Sequence, residues 1–151
     1  MRLSVSILAV LMFATAKVHA DAAENLSKIK LPAGFKISVY ANVENARGMA
    51  LGSKGTLFVG SYNSNVVSAV TDADGDGVGE KVRVIYDKKE LPGGTPFKMP
   101  AGVAFRDGAL YVSAISRIAR FDNIEDHLDN PPAPVVLPVE FSDRGHHGWK
   151  F

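Results

Sequence analysis

The chain has 151 residues, of which 46% are hydrophobic and 22% are charged, and its formal net charge is +1. This length and composition suit one ordinary globular domain. The balanced charge lacks the basic footprint of a nucleic-acid-binding protein, so no nucleic-acid partner is expected. The sequence contains no cysteine, which excludes disulfides, thiolate zinc sites, cysteine nucleophiles and covalent c-type haem attachment within this chain.

The first 20 residues have the pattern of a secretory signal peptide. Arg2 gives a positive start, residues 3–16 form a mostly apolar run, and Val18 and Ala20 occupy the positions that a signal peptidase reads. The run is short for a membrane span, although a membrane anchor or a buried helix is the alternative reading. We therefore expect cleavage after Ala20, a periplasmic or secreted mature protein, and no membrane attachment after cleavage.

A lone strand and a unit of four strands are the next predicted elements. The lone strand is Phe35–Tyr40, and the unit opens with a glycine-containing strand at Arg47–Leu51. Further strands follow near Thr56–Ser61, Val66–Thr71 and Lys81–Asp87. Strong β-forming residues, alternating hydrophobicity and turns rich in glycine and aspartate support these assignments.

The connection DADGDG lies between the last two strands of this first unit. Asp72, Asp74 and Asp76 alternate before a closing glycine, as in the first half of an EF-hand calcium loop, with Glu80 as a spare ligand. The twelfth position is Arg83, where a bidentate glutamate is needed, and the flanking segments are strands. The same residues suit a tight hairpin turn, so a turn and a weak calcium site remain alternatives.

A second unit follows the segment LPGGTPFKMP, which we predict to be an irregular loop. This loop leads into the first strand of the second unit. The unit repeats the order of the first, with strands near Ala101–Phe105, Ala109–Ile115, Arg117–Asp122 and Val135–Val139. The run IEDHLDNPP predicts a short polar helix or turn before the last strand. The sequence His147–Phe151 then repeats the glycine-containing opening strand of both units.

Four short strands that recur about every 50 residues indicate a β-propeller. We predict an all-β domain over residues 21–151, with blade 1 at about 47–87, blade 2 at about 101–139 and the start of blade 3 at 147–151. Closure needs about four to eight blades, so these residues amount to about two blades plus one strand of a larger ring. In such rings an early strand like Phe35–Tyr40 completes the last blade. An ordinary β-sandwich or barrel is the alternative.

Several motifs resemble the sorbosone dehydrogenase group of the soluble glucose/sorbosone dehydrogenases. They are LPAGFKISVYANVENARGMAL, GTLFVGS, DADGDG, AGVAFRDGALYVS, RIARFDNIEDHLDNPPAPVV and RGHHGWKF. The resemblance covers essentially residues 31–151 and is most specific from Ala101 to Phe151. It implies a six-bladed propeller that uses pyrroloquinoline quinone (PQQ), oxidises a sugar or aldehyde outside the cytoplasm, and passes electrons to a separate acceptor, often a c-type cytochrome.

The residue before each key glycine opens a first strand, and first strands line the channel of a propeller. These residues are Arg47, Ala101 and His147. In the resembling family a histidine here is the general base that takes the proton of a substrate hydroxyl or hydrated aldehyde. His147 fits that role, and an imidazole pKa near 6.5 suits it. The purely structural alternative is a histidine that only caps the strand by hydrogen bonding.

Two further residues are candidates for contact with the cofactor or the substrate. Arg47 could bind a carboxylate or a quinone oxygen with both guanidinium arms, although a surface pair with Glu44 is the alternative. His146 neighbours the expected base, and Asp143 and Arg144 flank the same place. The family's quinone-binding lysine and arginines come from later blades. We therefore expect the 151-residue chain to be inactive alone, and a non-catalytic fragment or a sugar- or protein-binding module is the alternative function.

Overall fold

The computed structural model describes residues 24–143, and the chain divides into two compact units, residues 1–40 and residues 41–151. In the described part of the first unit, residues 24–27 form one helical turn. Lys28 pairs with Glu24 across this turn, with 2.8 Å between Nζ and Oε1. No helix within residues 24–143 is long and apolar enough to cross a membrane.

The predicted strand at Phe35–Tyr40 is not a strand in the structure, so this prediction was wrong. A strand exists through hydrogen bonds to a neighbour, and every ladder in the described residues joins strands that lie after residue 45. The side chain of Phe35 is 70% exposed. The alternating pattern of this segment is therefore a local preference that no pairing stabilises in the described chain.

Within residues 41–143 the chain forms two four-stranded antiparallel sheets, each with its strands in sequence order. The first sheet contains β1 (Ala46–Leu51), β2 (Leu57–Ser61), β3 (Val67–Thr71) and β4 (Lys81–Tyr86). The second contains β7 (Gly102–Arg106), β8 (Ala109–Ser113), β9 (Ile118–Phe121) and β10 (Val135–Val136). All eight strands of the two predicted units are present.

A small hairpin lies between the two sheets, where the sequence predicted an irregular loop. Strand β5 (Glu90–Leu91) pairs with β6 (Thr95–Pro96) across the turn Pro92–Gly94. The prediction was wrong because the segment was judged by its glycine and proline content, which marks the turn itself and not the short strands beside it. The predicted short helix after β9 is confirmed as a one-turn 3-10 helix at Ile124–Asp126.

The two sheets approach each other most closely at their first strands, β1 and β7. A side chain at Gly48 would collide with the carbonyl oxygen of Ala101, and its Cβ would lie 3.5 Å from the Cα of Gly102. The amide of Ser61 on β2 donates to the carbonyl of Pro100 at 3.0 Å. The key glycines of the two units therefore meet, as expected for the inner strands of neighbouring blades. The two sheets are adjacent blades of a β-propeller.

Aromatic side chains fill the space between the blades. Phe58 of blade 1 is fully buried and stacks on Phe105 of blade 2, with ring centroids 5.6 Å apart and planes 9° from parallel. Tyr86 meets the edges of Phe97 and Phe121 at 5.2 and 5.6 Å. Hydrophobic burial by such large side chains is the main stabilising term between the sheets.

The opposite face of blade 1 exposes the residues equivalent to those that pack between the blades. Val103 and Phe105 on β7 pack against the buried core. Their counterparts on β1 are Met49 and Leu51, whose side chains are 64% and 68% exposed. The same positions in the repeat are therefore buried in one blade and exposed in the other.

Three carboxylates in the connection from β9 to β10 contact residues of blade 1. Glu125 accepts hydrogen bonds from the hydroxyl of Ser53 at 2.8 Å and from the amide of Lys54 at 3.0 Å. Asp126 pairs with the ammonium of Lys54. Asp129 pairs with Lys81 and Arg83 on β4. These contacts tie the outer part of blade 2 to two separate parts of blade 1.

The Glu125 contact is expected to make stability depend on pH. Partial burial on its own would raise the pKa of Glu125, but hydrogen bonds from Ser53, Lys54 and Thr56 outweigh it and lower the pKa below its usual 4.5. A lowered folded-state pKa stabilises the fold above the unfolded pKa, and this stabilisation is lost as the pH falls through the folded value. We expect Glu125→Gln to cost about 1 kcal/mol at pH 7, after allowance for partial exposure.

Urea unfolding of the wild-type and Glu125→Gln chains at pH 7 and pH 3 measures this effect. The difference in unfolding free energy should shrink at pH 3, because this pH lies below the usual glutamate pKa of 4.5, which holds in the unfolded chain. Glu90→Gln removes the charge of an exposed glutamate on β5 and serves as the control. An equal loss in Glu125→Gln at both pH values would contradict the assignment.

Candidate functional site

The candidate residues named from the sequence are only partly within the described chain. Arg47 is the second residue of β1 and is exposed. His146, His147 and Arg144 lie outside the described residues. Asp143 is exposed at the end of the described chain. Of the predicted site, the structure therefore describes Arg47 on the first inner strand and Asp143 at the end of the described chain. The roles of His146 and His147 stay predictions.

The two blades share a strained backbone residue just before the inner strand. Asn45 precedes β1 with φ 54°, and Met99 precedes β7 with φ 47°. This left-handed region is unfavourable for a residue such as methionine, and strained residues concentrate at functional sites. The β2–β3 and β8–β9 turns each donate one backbone hydrogen bond to these segments, to Asn45 itself in blade 1 and to the residue before Met99 in blade 2. Tyr62 N donates to Asn45 O at 2.8 Å, and Ile115 N donates to Lys98 O at 3.1 Å.

A cavity of about 450 Å³ opens at this end of blade 2. Its walls come from the hairpin strand β6 and the segment after it, from the β8–β9 turn, and from the segment after β10. The charged residues in the lining are Lys98, Arg117, Glu140 and Asp143. Thr95 and Ser116 add hydroxyl groups, and Pro96, Ile115 and Phe141 add apolar surface.

Direct contacts fix part of this lining. Arg117 Nη1 lies 3.0 Å from Glu140 Oε1 and also donates to the carbonyl of Ser116 at 3.1 Å. The amide of Phe141 donates to Ser116 O at 3.0 Å. The three segments around the cavity are thus joined by backbone hydrogen bonds and one ion pair. Lys98 and Asp143 extend from its rim as exposed side chains.

The corresponding end of blade 1 holds a smaller cavity of about 280 Å³. Its lining includes four valines together with asparagine and serine side chains, and Glu44 is the charged residue among them. Both cavities are lined by the segment before an inner strand and by the turn after the second strand, but the first also includes residues of β3 and β4, whereas the second includes the hairpin and the segment after β10. In blade 2 the cavity carries two cations and two carboxylates, whereas the described lining of the first cavity holds one carboxylate and no cation.

The sequence analysis named Asp143 as a residue that flanks the site but gave no role to Arg117 and Glu140. When the two units are aligned, Arg117 occupies the turn position that Ser64 holds in the first unit. A charge that replaces a small polar residue at an equivalent turn is a signal of specialisation. Glu140 lies beyond the predicted strands, so its place beside Arg117 could not be read from the repeat.

The acidic loop between β3 and β4 forms a compact turn. Asp72 accepts hydrogen bonds from the amides of Gly75 and Gly77 at 2.7 and 3.0 Å. Asp74 and Asp76 each accept from the amide two residues further along. Each of Asp72, Asp74, Asp76 and Glu80 also offers one carboxylate oxygen, and these oxygens lie within 4.8 Å of one another.

The hydrogen bonds of this loop are those of a tight turn. Its four carboxylates also bring together oxygen atoms of the kind that a calcium ion binds. Oxygen ligands of this kind suit a hard cation. Arg83, at the twelfth position, is engaged by Asp129 and by the hydroxyl of Thr71. It therefore gives no carboxylate to complete an EF-hand ligand set.

Comparison with known proteins supports the fold. No family model matches the sequence. An uncharacterized protein of Borreliella burgdorferi is 27% identical over 120 residues, which are 78% of this chain and 28% of that protein.

Two solved structures share the fold at low sequence identity. A gluconolactonase from Xanthomonas campestris is 18% identical, with a TM-score of 0.51 over 73% of this chain and 34% of its own. The PQQ-bound form of an aldose sugar dehydrogenase from Streptomyces coelicolor is 21% identical, with a TM-score of 0.50 over 72% of this chain and 34% of its own. The chain thus spans about a third of the length of each of these structures.

Proposed function

We propose that this chain forms two blades of a PQQ-dependent sugar or aldehyde dehydrogenase related to the sorbosone dehydrogenases. The observation that carries the proposal is the side-by-side packing of β1 and β7 at Gly48 and Gly102. If the third glycine-led segment continues this series, His147 opens the next inner strand. We propose that this position lies near the polar cavity, since Asp143, four residues earlier, lines that cavity. The similarity to the aldose sugar dehydrogenase supports the same assignment.

In the proposed reaction His147 takes the proton of a sugar hydroxyl or of a hydrated aldehyde. PQQ, when bound, would supply the two-electron oxidant for removal of a hydride, which carries both electrons, from the carbon that bears this oxygen. The product is a carbonyl compound from an alcohol, or an acid or lactone from a hydrated aldehyde or cyclic sugar. A c-type cytochrome or another acceptor then receives the electrons. His146 is proposed to contact the cofactor or substrate.

The described residues fit only part of a PQQ site. PQQ carries three carboxylates, which require several cationic partners. Arg47 and Lys98 precede or open the two inner strands, whereas Arg117 is already paired with Glu140. We propose that Arg47 contributes to the cofactor site and that the remaining cations come from other blades. The chain alone is therefore expected not to hold PQQ in a productive way.

Dye reduction tests this proposal. With PQQ, calcium and neutral sugars, the 151-residue chain should show no turnover. A product extended by whatever further blades the gene encodes after codon 151 should show PQQ-dependent turnover. In that product His147→Ala should lower kcat by about 10²–10⁴-fold. His127→Ala, at an exposed histidine directly after the 3-10 helix of blade 2, is the matched control and should keep full activity.

Two results would contradict parts of the proposal. Turnover by the 151-residue chain that disappears in His147→Ala would support the role of His147 but would contradict the expectation that the chain alone is inactive. If no reading frame after Phe151 encodes further blades, the binding-module alternative would replace the dehydrogenase. Export is part of the proposal, and the N-terminus of the exported protein is expected to begin at Asp21. Mass spectrometry that finds Met1 retained would contradict it.

We also assign the acidic loop a weak calcium site. Its donor set is four carboxylate oxygens within 4.8 Å, completed by backbone carbonyls or water. If the affinity is near 1 mM, as in extracellular calcium modules, then 10 mM calcium should raise the unfolding free energy by about 1.4 kcal/mol.

Thermal unfolding with and without calcium measures this stabilisation. Asp74→Asn keeps an acceptor oxygen for the turn but removes a charged ligand, so it should abolish the calcium effect. Asp107→Asn changes an exposed aspartate on another turn and should leave the effect intact. Equal stabilisation of wild type and Asp74→Asn would show that calcium acts elsewhere.

A further inference from the structure

The hairpin turn between β7 and β8 carries a chemically reactive pair of residues. We propose that Asp107 and Gly108 form a site of spontaneous isoaspartate formation, at which the main chain is rerouted through the aspartate side chain. The inference is independent of the proposed function, because it requires no cofactor, substrate or further blade. Its effect reaches the contacts between the two blades.

Isoaspartate forms through a cyclic imide. The amide nitrogen of the residue after an aspartic acid attacks the side-chain carbon Cγ, a C–N bond forms, and the hydroxyl of the acid leaves as water with the proton of the amide. Water then opens the imide at either carbonyl, which restores aspartate or leaves an isoaspartate whose main chain passes through Cβ and Cγ. The reaction loses and regains only water, so it needs no oxidant or enzyme. A glycine after the aspartate favours the attack, because it has no side chain that hinders the approach of its nitrogen.

The sequence contains three Asp–Gly pairs, and their surroundings in the structure differ. Asp74–Gly75 and Asp76–Gly77 lie in the acidic loop between β3 and β4, whereas Asp107–Gly108 lies between β7 and β8. In the acidic loop both reactive nitrogens are engaged. The two carboxylate oxygens of Asp72 accept a hydrogen bond from the amide of the first glycine at 2.7 Å and from that of the second at 3.0 Å. Each of these hydrogen bonds must break before the nitrogen can attack.

The amide in the β7–β8 turn lacks this protection. Within residues 24–143, Gly108 N donates no hydrogen bond, either to a side chain or in the ladder that joins the two strands. The side chain of Asp107 is 86% exposed. Arg106 pairs with one of its carboxylate oxygens at 3.1 Å, but an exposed ion pair of this kind restrains a side chain little. Both reacting groups are therefore accessible to each other and to water.

The backbone of the turn shows what the modification would change. Asp107 and Gly108 have φ values of 50° and 79°, and they connect the paired residues Arg106 and Ala109. Positive φ at both central residues is typical of a two-residue hairpin turn that matches the twist of its strands. Isoaspartate adds one atom to the main chain. The connection then no longer fits the register of the paired strands, which the turn normally fixes.

The turn is also joined to the segment that contacts blade 1. Gly108 O accepts a hydrogen bond from Ile124 N at 3.3 Å, and Ile124 is fully buried. Ile124 begins the 3-10 helix in which Glu125 accepts hydrogen bonds from Ser53 and Lys54 of blade 1. A longer turn displaces the carbonyl that anchors the start of this helix. We therefore expect isoaspartate in the turn to weaken the contacts of the helix with blade 1.

Peptide mapping of the aged 151-residue chain tests the site. The protein is incubated at pH 7 without calcium, and electron-transfer fragmentation of its peptides distinguishes isoaspartate from aspartate. We expect isoaspartate at Asp107 to accumulate about tenfold faster than at Asp74 or Asp76, because a hydrogen bond to a charged group is worth about this factor or more. The same chain unfolded in urea is the reference, in which the three pairs should react at similar rates.

Variants connect the rates to the hydrogen bonds. Asp72→Ala releases both glycine amides of the acidic loop, so it should raise the rates at Asp74 and Asp76 about tenfold and leave that at Asp107 unchanged. Asp87→Ala, at an exposed aspartate between β4 and β5, is the matched control and should alter none of the rates. Asp107→Glu keeps the charge and should abolish the reaction in the β7–β8 turn, because the larger ring closes far more slowly. Circular dichroism checks that each variant is folded.

Two results would overturn the site. One is equal isoaspartate formation at the three pairs of the folded chain, and the other is a preference for Asp107 that persists in urea, which would make it a property of the sequence and not of the fold. Hydrogen exchange tests the effect on the blade contacts. The amides of Ile124 and Lys54 should exchange faster in molecules that carry isoaspartate, whereas that of Tyr62, which donates to Asn45 O at the opposite end of β2, should not. Unchanged exchange at Ile124 and Lys54 would overturn the link between the turn and blade 1.

Discussion

Truncation of Phe58 is expected to cost about 3–5 kcal/mol of unfolding free energy, which is a large part of the total for a domain of this size. The side chain is fully buried and stacks on Phe105 across the boundary between the blades. In Phe58→Ala the lost hydrophobic burial is accompanied by a cavity that rigid neighbouring strands fill poorly. Urea unfolding at pH 7 measures the loss.

The contact with Phe105 can be separated from simple burial. A double-mutant cycle of Phe58→Ala and Phe105→Ala should give a coupling energy of about 1 kcal/mol, because stacked aromatic pairs add this much beyond their area. Phe35→Ala is the matched control, since Phe35 is 70% exposed and its loss should change stability by less than about 0.5 kcal/mol. A loss below about 1 kcal/mol in Phe58→Ala would show that the two sheets do not share a core.

The strands of both blades could be predicted because their signals are local. Alternation and β-forming residues identify β2 and β8 without any knowledge of their neighbours. The key glycines also carried long-range information, since Gly48 and Gly102 are small where two inner strands meet. The repeat thus indicated both the elements and the place where they come together.

Contacts between distant residues that follow no repeat could not be predicted. Glu125 reaches Ser53 across 72 positions, and nothing in the local pattern of either segment marks that pair. The cavity residues Arg117 and Glu140 are similar, because one lies in a turn and the other follows the last strand. The strand expected at Phe35–Tyr40 failed for the opposite reason, since its local pattern is good but no ladder includes it in the described chain.

The histidines show the limit of the sequence argument at the site. His147 was placed by analogy with the residue before each glycine, and the structure describes that position in the first two units only. Arg47 is exposed there and Ala101 is buried, so the position does not impose one environment. The assignment of a base therefore depends on the third unit repeating the geometry that Gly48 and Gly102 define.

That geometry is tested by Gly48→Ala, which is expected to destabilise the chain by about 3 kcal/mol or more. The added methyl group would meet the carbonyl oxygen of Ala101, which belongs to the backbone and cannot move aside as a flexible side chain can. Overpacking in well-packed regions typically costs about 1–3 kcal/mol, and a backbone obstacle places this case at the upper end. The inner strands must separate to make room, so the loss should be accompanied by weaker Phe58–Phe105 coupling.

Urea unfolding and the double-mutant cycle repeated in the Gly48→Ala background measure both effects. Ala104→Val enlarges an exposed residue on the sister strand β7 and is the control for added volume without a collision. It should change stability by less than about 0.5 kcal/mol. A Gly48→Ala chain as stable as Ala104→Val would mean that β1 and β7 are not in close contact. The inner-strand series would then lose its basis, and with it the placement of His147.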